Sequence, residues 1–171
     1  MKKWSFAICL LIMLGAIGYY FFPEKKLPVE KKISKLVVLK NERIMKVYSS
    51  GEVIKVYSIS IGKNSIGDKV VQGDKRTPEG TYIINDKNAG SGYHKNLGIS
   101  YPNHEDRLAA QSKNLDPGGD IKIHGLQNGL GFIGKFHRVI NWTAGCIALT
   151  DEEIDELYDR VEIGTPIIIM P

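Results

Sequence analysis

Two side chains in this 171-residue chain have the types needed for covalent acyl chemistry: Cys146 and, 22 positions before it, His124. A cysteine is a nucleophile as its thiolate, so it needs a base or cation beside it and partial access to a substrate. Cys146 lies within Trp142-Thr143-Ala144-Gly145-Cys146-Ile147-Ala148-Leu149. Gly145 lets the backbone approach a carbonyl closely, and the amides around Gly145 and Cys146 are candidates for an oxyanion hole. His124 closes the run Ile121-Lys122-Ile123 and precedes Gly125, which puts an imidazole at the rim of a sheet. The pair predicts a thiol of depressed pKa that is alkylated quickly near neutral pH.

Other roles for the same residues are open at this level. A lone cysteine also serves as a small buried hydrophobe, and a lone histidine at a strand end as hydrogen-bonded structure. A zinc site of His124, His137 and Cys146 lacks the paired ligand spacing such sites use, so no metal and no cofactor is expected. His94 and His104 read as solvated or loop-bracing.

The elements that must position these residues are mostly short strands. Leu36-Val37-Val38-Leu39, Arg43 to Tyr48 and Val53 to Ile61 are β-branched and aromatic runs separated by turn residues, an antiparallel meander. Arg76-Thr77-Pro78-Glu79-Gly80 marks a turn into a strand over Thr81 to Asn85. Residues 88–119 read as a long, mostly irregular, glycine-rich segment, the kind of loop that carries function. One convincing helix follows, with Thr150 as N-cap, Glu153 completing a capping box, and an apolar face of Ile154, Leu157, Tyr158 and Val161. Gly164 ends it, and Pro166-Ile167-Ile168-Ile169-Met170 closes the chain as a strand. The expected fold is mainly β, with one or more covering helices.

At the N-terminus, Trp4 to Phe22 is a charge-free run of 19 residues, long enough as a helix to cross a hydrocarbon core of roughly 30 Å. It predicts an anchor over residues 1–22 whose Lys2 and Lys3 keep that end in the cytoplasm, so that the rest lies on the outer, periplasmic side. The alternative is a signal peptide cleaved after Ala16-Ile17-Gly18, giving a secreted protein. Residues 23–34 read as a polar tether and 35–171 as one domain. The net charge of +4 includes Lys2 and Lys3, so the part beyond residue 22 is close to neutral. It has no basic stripe interleaved with aromatics, which disfavours nucleic acid as a partner. Cys9 lies in the apolar run, so Cys146 is the domain's lone thiol and no internal disulfide is possible.

The order Thr77-Pro78-Glu79-Gly80-Thr81-Tyr82, then Ile123-His124-Gly125, then Thr143-Ala144-Gly145-Cys146-Ile147, then Gly164-Thr165-Pro166 resembles the L,D-transpeptidase catalytic domain, the YkuD-like family, over nearly all of residues 35–171. The resemblance implies a β-sandwich-like fold and a cysteine that attacks the third-residue carbonyl of a peptidoglycan stem peptide, expels D-alanine and passes the acyl group to an amine. It implies Cys146 as nucleophile, His124 as base, and Gly145 with Cys146 in the oxyanion hole; Gly125, Thr143, Trp142, Tyr101 and Arg107 are candidate substrate contacts, with Tyr101, Arg107 and Asp106 equally readable as a loop-bracing cluster. Where many members have His this chain has Ala144, leaving proton transfer to His124 or else His137. Where many have Arg or Asn it has Ala148. The alternatives are a hydrolase of the same fold, a carboxypeptidase or endopeptidase, and a catalytically silent wall-binding module. Phe132 and Trp142 are candidates to wall the clefts and Lys135 or Arg138 to pair substrate carboxylates, though each reads more readily as ordinary packing or solvated charge.

Overall fold

A computed structural model describes residues 2–171, except for the side chains of Lys2, Lys3 and Phe6. The orienting charge expected of Lys2 and Lys3 therefore lies outside the described residues. The meander forms as expected: β1 (Lys35–Leu39), β2 (Ile44–Ser49) and β3 (Glu52–Ser58) pair antiparallel in order. In β2 alternate residues Met45 and Val47 enter the core, opposite Val38 and Leu36 of β1.

The third apolar run, expected to continue as one strand to Ile61, changes partner at its end. Beyond Ser58 the chain leaves β2, and Ser60 exchanges both backbone hydrogen bonds with Ala148, at 3.1 and 2.8 Å. Ala148 belongs to β7 (Ile147–Ala148), at the far edge of an eight-stranded sheet ordered β3-β2-β1-β8-β4-β5-β6-β7. The sheet thus curls until its two edges are bridged by one short stretch of chain. The mainly β expectation holds in this curled form.

Residues 88–119 are more ordered than their composition suggests. β4 (Gly80–Ser91) and β5 (His94–Ile99) form a hairpin, α2 (His104–Gln111) follows, and β6 (Lys122–His124) completes this half. The outer half of the hairpin stands clear of the core, so Asp86 to Ser91 show no apolar alternation to read. α2 begins at Asn103, whose side chain accepts from the Asp106 amide while the Asp106 carboxylate accepts from the Asn103 amide. A 3₁₀ segment spans Gly131–Val139, kinked at Gly134, where φ is +48°. α3 (Asp151–Arg160) has the expected Thr150–Glu153 capping box and buries Ile154 and Leu157. β8 (Pro166–Met170) inserts between β1 and β4, parallel to the first and antiparallel to the second.

The stretch expected to be a polar tether is partly core. Leu27 and Ile33 are buried in the main apolar cluster, each burial contributing about 2 kcal/mol. The Leu27 amide donates to the Glu156 carboxylate at 3.2 Å, and the Lys55 ammonium donates to the Lys25 carbonyl. Before it runs α1 (Lys2–Phe21), which meets the domain through its C-terminal end. Among the described residues no helix is long and apolar enough to cross a membrane, so the structure gives the expected anchor no support.

Candidate active site

β6 and β7 pair in parallel, Ile123 beside Ile147 and His124 beside Ala148. Ile123 and Ile147 point into the core, so His124 and Cys146, one step on either side of that pair, turn to the opposite face. Both line a cleft of about 510 Å³, with Thr143, Ala144 and Trp142 from the cysteine loop and Asn88, Ser91 and Tyr93 among the residues of the β4–β5 hairpin. The strand pairing, more than the spacing in sequence, brings the two together.

His124 Nδ1 lies 2.6 Å from the carbonyl oxygen of Gly125. A carbonyl only accepts, so Nδ1 carries the hydrogen and Nε2 is left as the basic nitrogen. The ring is held by Tyr93, tilted against it at 4.7 Å between centroids, and by the edge of Trp142 at 5.7 Å. Burial keeps the imidazole neutral by pulling its pKa below the usual histidine value, and Lys122 acts the same way. Burial also pushes the Cys146 thiol up, against the pull of the Lys122 amide and ammonium. The depressed thiol pKa expected from sequence is thus not what the surroundings favour: burial favours the thiol over the thiolate and the neutral imidazole over its cation.

The thiol donates weakly to the Asp120 carbonyl, 3.7 Å away. Asp120 sits at φ +60°, and its carboxylate pairs with the Lys122 ammonium at 2.7 Å, at the cleft wall. Tyr101 acts behind this loop. It is buried, stacks edgewise on Tyr82 and donates its hydroxyl to the Pro117 carbonyl at 3.0 Å, bracing the turn that leads to Asp120. Tyr101 and Arg107, expected as substrate contacts, do not line the cleft. Neither does Gly125: a Cβ there would meet the Asp151 carboxylate at 2.7 Å, so that glycine allows packing against α3.

Gly145 has a different task from the one expected. Its N–H donates to the Thr143 hydroxyl at 3.1 Å, and that hydroxyl donates to the Cys146 carbonyl at 2.7 Å. The Gly145 amide is therefore committed to the turn and is not a free oxyanion donor. At φ +135°, with the Arg76 carbonyl 2.7 Å from where a Cβ would stand, only glycine fits. The Thr-Pro-Glu-Gly turn thus follows directly on the residue that floors the cysteine loop.

His137 is not placed as a base. It accepts the Trp142 indole N–H at Nδ1, 3.4 Å away, and stands on the other side of that ring, beside an apolar groove. Lys135 and Arg138 are likewise engaged elsewhere: Lys135 with Glu24 at 3.4 Å, Arg138 with Glu153 and Glu24 at 2.7 and 3.1 Å. Phe132 faces outward and does not wall the cleft. His94 braces the hairpin by pairing with Asp155 at 2.8 Å, as a loop-bracing role requires.

Residues 34–169 match the YkuD family, the L,D-transpeptidase catalytic domain. The chain belongs to this family. Two relatives named "Putative L,D-transpeptidase" are similar: YafK of Escherichia coli K12, 29% identical over 72% of this chain and 45% of its own, and YqjB of Bacillus subtilis, 28% identical over 78% and 69%. The chain thus spans about half the length of YafK. Among solved structures, the helical cell shape determining protein Pgp2 of Campylobacter jejuni superposes with a TM-score of 0.62 at 24% identity, covering 86% of this chain and 51% of that one. An L,D-transpeptidase from Mycobacterium smegmatis gives 0.54 at 18%, covering 82% and 59%. These likenesses establish the L,D-transpeptidase fold.

Sequence reasoning missed Tyr93, Asn96, Asp120 and Lys122. Asn96 is buried opposite His124 on β5, lines the cleft, and its side-chain oxygen has no hydrogen-bond partner among the described residues. Its signal lay in pairing across strands, which one sequence does not display.

Proposed function

We propose that the domain transfers acyl groups on peptidoglycan stem peptides, with Cys146 as nucleophile and His124 as base. One observation carries this reading: both side chains line one cleft, and the Gly125 carbonyl fixes the His124 tautomer that leaves Nε2 basic. Family membership and the names of the relatives support the substrate class.

In the proposed reaction Cys146 Sγ attacks the third-residue carbonyl as its proton passes to His124 Nε2. The Cys146 amide is the donor left for the oxyanion. Collapse breaks the C–N bond, and the D-alanine amine takes the proton from His124, leaving a thioester. An amine acceptor, deprotonated by the same imidazole, then attacks, forms a new amide and releases the thiol. Water in place of the amine makes the domain a hydrolase. The site lies outside the cytoplasm, where its substrate is, and residues 4–22 are the segment that takes it there, anchored or cleaved.

Incubation of the full chain with disaccharide-tetrapeptide, read by mass, tests this. D-alanine release with 3-3 linked dimer, both lost in Cys146→Ala, is the expected result. Tripeptide alone with excess acceptor reassigns the domain as a hydrolase. Absence of any acyl-enzyme overturns transfer on tetrapeptide and leaves cleavage of an existing cross-link or a wall-binding module. The mass of the membrane-extracted protein decides whether the first residues, about 18 by the position of the Ala16-Ile17-Gly18 site, are removed.

A further inference from the structure

Away from the catalytic cleft the surface carries a concentrated apolar patch. Within residues 130–140, Leu130, Phe132, Phe136, Val139 and Ile140 all face outward, Phe132 at 73% and Val139 at 70% exposure. An apolar groove of about 300 Å³ runs between Leu130, Phe136, Ile140 and Trp142. Single exposed hydrophobes are ordinary, but a contiguous patch on one short segment marks a binding surface.

The end of α1 lies on this patch. The Tyr20 ring stacks on Phe136 with centroids 5.5 Å apart, and its hydroxyl donates to the Phe132 carbonyl at 2.8 Å. The Lys135 ammonium reaches the carbonyls of Tyr19 and Phe22, which the helix leaves without intrahelical partners. Leu11, Ile12, Leu14 and Ile17 are exposed around α1, and a helix apolar on every side requires an apolar surrounding. At its end, exposed Phe21 and Phe22 are followed by exposed Lys25 and Lys26. Exposed aromatic rings beside lysines match the head-group layer of an anionic bilayer, where rings sit among the glycerol groups and ammonium groups meet phosphates.

We propose that the 3₁₀ segment Gly131–Val139 and the end of α1 together dock on an anionic lipid surface, with Phe132, Val139 and Ile140 in the head-group layer and Lys25 and Lys26 against lipid phosphates. Trp142 walls both the apolar groove and the Cys146 cleft. The docked face therefore holds the cleft at a set height and tilt above the bilayer. The proposal is independent of the reaction assigned to the cleft.

The test uses the full chain with Cys9→Ser and Cys146→Ser, labelled with an environment-sensitive fluorophore at Val139→Cys or, on α2's far end, Lys113→Cys. In nanodiscs of phosphatidylcholine and phosphatidylglycerol, emission at 139 should shift to the blue and be quenched several-fold by brominated lipid, while that at 113 stays unchanged. Phe132→Ser with Ile140→Ser should reduce the quenching at 139 with circular dichroism unaltered. A label at 139 that lipid bromine does not quench overturns the proposal. Burial of that label without lipid, growing with protein concentration, identifies a second copy as the occupant and overturns it equally.

Discussion

Trp142 gives its indole N–H to Nδ1 of His137, 3.4 Å away, and meets the ring of His124 with its centroid 5.7 Å distant. One tryptophan is therefore fixed from behind by one histidine and in turn walls the other, the one proposed as the base. The arrangement requires a neutral His137, because a protonated Nδ1 cannot accept.

Burial, aided by the nearby Arg138, lowers the His137 pKa to about 4. A group depressed in the folded state binds its proton more readily when unfolded, so stability is complete above the unfolded value, 6.5, and is lost as pH falls towards 4. The loss for this residue is about 3 kcal/mol. His124 contributes in the same direction. Urea midpoints measured from pH 7 to pH 4 should fall steeply, and His137→Gln should flatten that fall while lowering the midpoint at pH 7.

Removing the base separates the two histidines. His124→Ala should slow acylation by roughly 10² to 10⁴-fold. His137→Gln should leave the rate within a few-fold, since its effect passes through the orientation of Trp142. Single-turnover acyl-enzyme formation, followed by mass, checks both. A large defect in His137→Gln with a mild one in His124→Ala would reverse the assignment.

The raised thiol pKa makes a kinetic statement about the free enzyme. Iodoacetamide should label Cys146 more slowly at pH 7 than it labels a free thiol of pKa about 8.5, with the rate climbing as pH passes 9. Fast labelling at neutral pH would show that a thiolate is already present. Because His124 must be unprotonated to act, kcat/KM should decline on the acid side below pH 6.5.

Thr143→Val removes the acceptor of the Gly145 amide and the donor to the Cys146 carbonyl together. Leaving these backbone groups unpaired in a buried turn should cost about 2 kcal/mol of stability and disorder the thiol. Calorimetry and acylation rate measured on one preparation test it. Retained acylation in a destabilised protein would confine Thr143 to folding.

The meander, the closing strand and the Thr150 cap were legible because each has a local signature: alternation, an apolar run or a capping box. Cys146 and His124 were legible as chemical types in an ordered motif. Tyr93 was not, because it stands at the tip of a hairpin whose outer half packs on nothing and so shows no apolar period. Asn103 and Asp106 did carry a capping box that went unread amid the surrounding glycines and prolines. Tyr101 and Arg107 stayed open between substrate contact and loop bracing, because a polar, aromatic cluster reads alike in either role, and Tyr101 takes the bracing one. Leu27 and Ile33 were hidden among charged neighbours, and only the sheet they cover reveals them as core.

β8 lies between β1 and β4, pairing Leu36 with Ile167 and Tyr82 with the same Ile167 from the other side. β8 is thus the seam of the sheet, and without it the meander and the half that carries Cys146 meet in the sheet only where Ser60 and Gly62 bridge to Ala148 and Thr143. Contacts so distant along the chain make folding slow, and the half that carries Cys146 gains the support of the meander through the sheet only when β8 has paired on both its edges.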